Sequence, residues 1–258
     1  MKKSDVHNFS FEWKIHQKTQ LDNKKNDTSE KNFNTRFGFD KIFWEKKKVL
    51  DVGCGTGRYA IVPLKYGAHV TGIDLSDSIQ VAKKNLKDFD KAVLVEADLY
   101  SLPFAEESFD VIYSFGVLHH TPDPYSAFKG LLKFLKPGGH ICITLYQKSG
   151  MYHSSRYIRK VTTKLNTKLL YFIVCIFVSM LYIPYKFFGF RYGILGRFMP
   201  ISLSNNLYEA VLDTFDCYSP KYQFTYDIHE VYNWFKSSNM KEIDIRPQDV
   251  TILGKKQS

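Results

Sequence analysis

The chain has 258 residues, 44% of them apolar, enough to bury one large α/β core or a core with an insertion, and nothing in it signals two independent domains. Its four cysteines, Cys54, Cys142, Cys175 and Cys217, are scattered with no CxxC pair, which argues against a disulfide framework or a zinc site, and no metal is expected. The formal charge of +10 is concentrated: residues 124–208 hold no acid and carry +12, leaving the remainder at −2, so one region is built to meet something anionic.

The N-terminus lacks the apolar stretch of a secretory signal, so a cytoplasmic location is expected. Aromatic residues at 9–13 precede a polar segment, 20–32, read as flexible. The run VLDVGCGTG (49–57) follows as a buried strand, 48–52, and a tight glycine turn opening a helix over 58–66. A second strand, 69–74, ends at Asp74, about 20 residues after the glycines, where a carboxylate can accept from a ribose diol. A dinucleotide fingerprint would need glycine at position 58, and Arg58 stands there. Next come a helix over 76–88 with Ser76 as N-cap and a strand at 92–97. A strand at 110–115 opens with Asp110, read as structural; a helix at 124–135, a turn at 137–139 and a strand at 140–146 follow. The chain ends with a helix at 228–235 and strands at 241–246 and 250–254, whose short link allows only a hairpin. Strands alternating with helices predict a parallel, doubly wound sheet closed by an antiparallel pair.

The GxGxG turn with Asp51 two places ahead, and the stretch VEADLYSLPFAEESFDVIYSFGVLHHTPDP (95–124), together resemble the motifs of class I S-adenosylmethionine-dependent methyltransferases. The resemblance is to the small-molecule branch that includes quinone-biosynthesis enzymes, the methyltransferase type 11 domain, and it covers 48–146 and resumes near Tyr222. It implies a Rossmann-like α/β fold with a seven-stranded sheet in the order 3-2-1-4-5-7-6, helices on both faces, and a largely helical insertion after strand 5. It also implies S-adenosyl-L-methionine as cofactor. Carried over residue by residue, Asp51 would face the amino end of the methionine moiety, with Gly53, Cys54, Gly55 and Gly57 passing beneath it. Asp74 would hold the ribose with Leu75 beside it, Asp98 and Leu99 would receive adenine, and Phe115 would lie by the methionine. Singly, Asp51 and Asp98 read equally well as turn caps and Phe115 as core filler; jointly those readings fail.

Methyl transfer from a sulfonium needs alignment and exclusion of water more than a dedicated base. If the acceptor is a hydroxyl, His119 and His120 stand where a base could act, the competing reading being loop caps; strand alternation makes His120 the weaker choice of the two. The nucleic-acid motif (N/D)PP(Y/F) is absent from the place after strand four, which reads Phe115-Gly116-Val117-Leu118, so a nucleic-acid acceptor is disfavoured.

The domain reading is an N-terminal segment, 1–44, in which Trp13 serves as cofactor lid or packing anchor; a cofactor-binding core, 45–147; a basic apolar insertion, 148–221; and a closing helix and hairpin, 222–258. Tyr222, in a segment resembling one in bacterial relatives with such insertions, is placed near the acceptor pocket. Inside the insertion, 154–168 reads as one amphipathic helix with Tyr157, Ile158, Val161, Leu165 and Leu169 on one stripe and Arg156, Lys160, Lys164 and Lys168 on another. Like charges at that spacing repel, so an external anion explains them better than helix stability. The apolar run 169–185 is expected to end at Pro184, too short to span a bilayer, and aromatics continue over 186–198. A lid over the active site and a helix lying on an anionic membrane surface are both compatible with it.

The leading expectation is therefore a methyltransferase acting on an oxygen or activated carbon of a small or lipid-linked metabolite, cytoplasmic and peripheral at the inner membrane face. The alternatives are a nicotinamide-dependent oxidoreductase and a non-catalytic cofactor-binding scaffold.

Overall fold

The computed structural model describes residues 1–17, 21–22, 27–148, 151–188, 201–202, 204 and 206–258. Seven strands form one sheet: β1 (Lys48–Val52), β2 (His69–Asp74), β3 (Ala92–Glu96), β4 (Phe109–Phe115), β5 (Leu135–Leu145), β6 (Lys241–Arg246) and β7 (Val250–Lys255). Their order is β3-β2-β1-β4-β5-β7-β6, as expected. All pairings are parallel except those of β7, which runs antiparallel between β5 and β6 because the β6–β7 link is too short for a crossover.

Alternation along the strands builds two cores. Leu50, Ile112, Ile141, Ile143 and Ile252 face one side and pack on Phe128 and Leu131 of α5 (Pro124–Leu131) and on Val231 and Phe235 of the terminal helix, Ile228–Ser237. Val49, Val111, Tyr113, Cys142 and Leu253 face the other side, against Phe33, Phe37 and Trp44. Those three aromatics explain why Thr28–Phe37 is a helix, α2, where the composition of 20–32 suggested a flexible segment.

Other element boundaries differ from expectation, among them the end of α5, which stops at Leu131 rather than 135. The helix after the glycine turn, α3, is only Ile61–Lys65, because Pro63 has no N–H to give the preceding turn. The next helix, α4, is Ser78–Asn85, since the Ser76 hydroxyl donates to Asp74 (2.7 Å) and accepts from the Ser78 hydroxyl (2.7 Å), with only a long bond from the Ser78 N–H (3.3 Å). The Pro137-Gly138-Gly139 turn lies inside β5 as an irregularity: pairing steps from Phe109–Leu135 to Val111–His140 across it. The predicted helix over 154–168 is two helices, α6 (Met151–Thr162) and α7 (Thr167–Phe188). Between them the Thr162 and Thr163 hydroxyls bond back to carbonyls four residues earlier and the Asn166 side chain caps the Lys168 N–H, an arrangement that ends one helix and starts the next.

Helix α7 also continues through Pro184, giving 22 residues rather than a run that stops there. It packs through Leu170, Val174, Val178 and Tyr182 on Ala210, Val211 and Phe215 of α8 (Leu207–Tyr218). The aromatic stretch that follows α7 falls, over 189–200, outside the described residues. The terminal helix, Ile228–Ser237, is α9; its capping box, Asp227 with Glu230, fixes its start. The N-terminal helix, α1 (His7–Ile15), straps core to insertion: Ser10 Oγ accepts from the Asp77 N–H (3.0 Å) ahead of α4, and Asn8 donates to Ser219 Oγ (3.1 Å) after α8.

Candidate active site

The β1–α3 turn, the carboxyl ends of β2 and β4, α1 and α8 together wall a cavity of about 300 Å³. Its floor is the glycine turn. Gly53 has φ +75° and the two methyls of Val117 lie 2.5 Å from where a β-carbon would stand, so no other residue fits. Gly55, at φ +52°, donates its N–H to Asp74 Oδ2 (3.0 Å), and the Trp13 indole covers it. Asp74 also receives the Ser76 N–H (2.8 Å) and hydroxyl (2.7 Å); burial nevertheless pushes its carboxyl above the usual range.

Of the residues expected at the cofactor, Gly53, Cys54, Gly55, Asp74, Leu75, Leu99 and Phe115 line the cavity, and so does Trp13. Gly57, at φ +82°, instead packs beneath, with Leu86 2.9 Å from its β-carbon position. Asp51 lies under the turn, buried and pushed up to about 7 by desolvation; the Tyr113 hydroxyl beside it opposes that rise, and no cation is paired with its Oδ2 among the described residues. Asp98 is engaged by the amino group of Met1, whose side chain lines the cavity beside Leu99, and by the Tyr100 N–H. The set fits the expected cofactor: a buried acid with no paired cation below the glycine cradle suits an ammonium, and an acid at the end of β2 suits a diol. Asp110 is structural, as read, accepting from the Lys48 N–H and from Lys136 away from the cavity.

The two histidines exchange the ranking they had in the sequence. Strand β4 ends at Phe115 and Leu118–His120 is a 3₁₀ turn, so strand alternation no longer governs which side chain turns inward. His119 is fully buried, stacked on Tyr146 at 3.7 Å, and accepts the Tyr146 N–H through Nδ1. His120 lines the cavity. Its Nδ1 lies 3.0 Å from the Tyr222 carbonyl, which can only accept, so Nδ1 carries the proton and Nε2 is the free acceptor. Nε2 is buried without a partner, and desolvation holds the ring's pKa below the ordinary histidine value. Tyr222 therefore acts through its backbone; its ring lies by Lys221 and does not line the cavity.

Six charged residues on the wall, Glu12, Arg36, Arg58, Asp213, Asp216 and Asp249, were not singled out as site residues. Arg36 of α2 is buried with its guanidinium 4.6 Å from the Phe115 ring and 5.1 Å from that of Tyr59, and its Nε and Nη1 have no partner. Its signal was a lone cation on the apolar face that carries Phe33 and Phe37. Glu12 comes from α1, and Asp213 and Asp216 come from one face of α8. Nothing local marked them, because they meet only when α1 crosses between core and insertion. Among the described residues no group of three His, Cys, Asp or Glu could hold a metal ion.

Residues 50–143 match the family model described as a methyltransferase domain. The chain is 42% identical over 99 residues to a ubiquinone biosynthesis O-methyltransferase of Thiobacillus denitrificans, covering 37% of this chain and 42% of that protein. The chain spans less than half the length of the curated relatives it matches. A proposed S-adenosyl-L-methionine-dependent methyltransferase of Methanococcus maripaludis superposes with a TM-score of 0.52 at 18% identity, covering 100% of this chain and 94% of that one. A Haemonchus contortus phosphoethanolamine N-methyltransferase 2, solved with S-adenosyl-L-methionine, has a TM-score of 0.53 at 20% identity, covering 93% and 42%. The last two show the fold alone. The matched segment, the strand order and the cradle agree, and the chain carries a class I S-adenosylmethionine-dependent methyltransferase domain with S-adenosylmethionine as its cofactor.

Proposed function

We propose that the whole chain transfers a methyl group to an oxygen or activated carbon of a small or lipid-linked metabolite at the inner face of a membrane. The observation that carries the proposal is His120: a neutral imidazole with an unpartnered Nε2 that shares one cavity with the glycine cradle. Bound in that cradle, the cofactor supplies an electrophilic methyl group on a positively charged sulfur. Asp74 is positioned for its ribose, Leu99 for its adenine, and Asp51 and Arg36 for the ammonium and carboxylate of its amino-acid end. Arg36 suits that role because its guanidinium is buried without an acid paired to it, so a carboxylate would satisfy it. His120 takes the proton of an acceptor hydroxyl at Nε2, and the Tyr222 carbonyl holds the ring in the tautomer that can do so. Phe9, with its ring 5.1 Å from that of His120, and Trp13 keep water from the site.

The membrane part of the proposal rests on α7. Leu169, Phe172, Ile173, Ile176, Met180, Ile183 and Phe187 are exposed along one face of the helix, opposite the face packed on α8; Phe172 is 61% and Phe187 74% exposed. Tyr157, Val161 and Leu165 are exposed just before it, beside the exposed Arg156, Lys160, Lys164 and Lys168. An apolar strip rimmed by unpaired cations suits the headgroup layer of an anionic membrane. Among the described residues one helix, Thr167–Phe187, is long and apolar enough to cross a membrane, with a mean hydropathy of 1.9. Packing of its other face on α8, which walls the cavity, favours a helix lying along the surface.

The deciding experiment measures methyl transfer by the full chain from labelled S-adenosylmethionine into a metabolite and lipid extract, beside equilibrium binding of S-adenosylhomocysteine. Transfer by wild type and its loss in Asp74→Ala, with binding weakened about 10–100-fold, is expected from losing charge-assisted hydrogen bonds. Binding without any transfer would favour the scaffold reading.

A further inference from the structure

The acceptor side of the cavity is acidic in a molecule whose net charge is +10. Glu12 is 2% exposed and its Oε2 has no hydrogen-bond partner. Asp216 receives the Tyr146 hydroxyl on Oδ2 (2.5 Å) and leaves Oδ1 unpartnered, while Asp213 accepts the Ser202 hydroxyl (2.9 Å). Among the described residues none of the three takes part in an ion pair. A second and chemically different observation lies beside them: His120, 8% exposed, presents an unpartnered Nε2 to the same space. Two aromatic rings, Phe9 and Tyr146, stand at 5.1 and 5.4 Å from His120.

Gathering three carboxyls in a partly dry cavity is unfavourable; Arg58 acts on Asp213 and Arg159 on Asp216 and ease part of the repulsion, whereas Glu12 feels only the two aspartates. Burial and the neighbouring aspartates push Glu12 well up, and burial pushes Asp213 up to about 6. A neutral, ring-like acceptor would be served by an apolar wall. A cation gives each carboxylate a partner, and the two aromatic faces add to its attraction.

We propose that the methyl acceptor carries a positively charged nitrogen, and that Glu12, Asp213 and Asp216 receive this group while the atom to be methylated faces His120. The inference rests on the methyltransferase reading above and names the class of its substrate: an amino-bearing metabolite, with a hydroxyl or activated carbon near the ammonium. Helix α1 then has a double task, since Trp13 covers the cofactor turn and Glu12, one residue earlier, faces the acceptor.

The test uses the full chain, S-adenosylmethionine with a trideuterated methyl group, and an extract of small metabolites and lipids from the cells that encode it. Compounds that gain the label are identified by mass spectrometry. The expected product bears an amine or quaternary nitrogen that is cationic at neutral pH. Asp213→Asn and Asp216→Asn, made separately, should each lower labelling at least tenfold, with S-adenosylhomocysteine affinity within twofold of wild type and an unchanged melting temperature. A labelled product without cationic nitrogen would overturn the proposal, and the wild-type arm yields that result even if a variant fails to fold. Parallel loss of S-adenosylhomocysteine affinity in the variants would also overturn it, by assigning the cluster to the cofactor's own ammonium. Intact binding with no labelled product at all would instead defeat the methyltransferase reading, and this inference with it.

Discussion

The sheet and the insertion use apolar residues in opposite ways. In the sheet, the large apolar side chains of β1 and β7, and those of β4 as far as Tyr113, are buried, and polar groups converge at the carboxyl ends of the strands. In α7 one apolar face is covered by α8 while the other, from Leu169 to Phe187, is open. The core is thus a device whose work depends on a few atoms in fixed places. The open faces of α6 and α7 form a surface whose work is spread over many similar side chains. Single substitutions should therefore separate the two regions by the size of their effects.

The largest effect is expected at His120. His120→Ala should lower kcat about 10²–10⁴-fold, the usual contribution of a positioned base, with S-adenosylhomocysteine affinity unchanged in a binding titration. The imidazole must be neutral to accept a proton and its pKa is depressed by burial, so kcat, read at saturating cofactor and acceptor that hold Asp51 and Asp213 ionised, should keep its value through the ordinary histidine range and fall only as pH drops below it. A kcat profile at saturation that breaks at or above that range would exclude His120 as the base.

Next comes the cradle. Gly53→Ala places a β-carbon against Val117 at a positive φ, and a loss of about 2–3 kcal/mol in denaturant unfolding is expected, together with weakened cofactor binding. Wild-type stability in this variant would mean that the turn is softer than its contacts imply.

The smallest single effects belong to the open faces of α6 and α7. Lys160→Gln should weaken sedimentation with anionic vesicles by roughly fivefold, in line with about 1 kcal/mol per cation, while joint reversal of Arg156, Lys160, Lys164 and Lys168 should abolish it. Salt should do the same, and neutral vesicles should not bind the chain electrostatically. Equal binding to both vesicle types would remove the electrostatic account. Met180→Asp, on the open face of α7, should reduce vesicle binding without altering the melting temperature, whereas Val178→Asp, on the covered face, should destabilise the fold by burying an unpaired charge.

How legible the site was depended on how local its determinants are. The glycine turn, Asp74 and the terminal hairpin are encoded by residues close in sequence, so their geometry follows from spacing. His120 was ranked below His119 because strand alternation was extended past Phe115, where a 3₁₀ turn takes over. The split between α6 and α7 was hidden because a continuous amphipathic stripe crosses it, and side-chain bonds from Thr162, Thr163 and Asn166 decided the break. Passage of α7 through Pro184 was likewise beyond a propensity argument.

What the sequence determined by itself is the order of elements and the cofactor cradle: period-two apolar strands, glycines at turns that no other residue fits, and a link too short for anything but a hairpin. Only the tertiary structure decided which charges share the cavity. Arg36, Glu12, Asp213 and Asp216 lie on three helices far apart in the chain, each ordinary in its own surroundings. Electrostatic interaction depends on distance in space, and it was the path of α1 between core and insertion that brought those charges together.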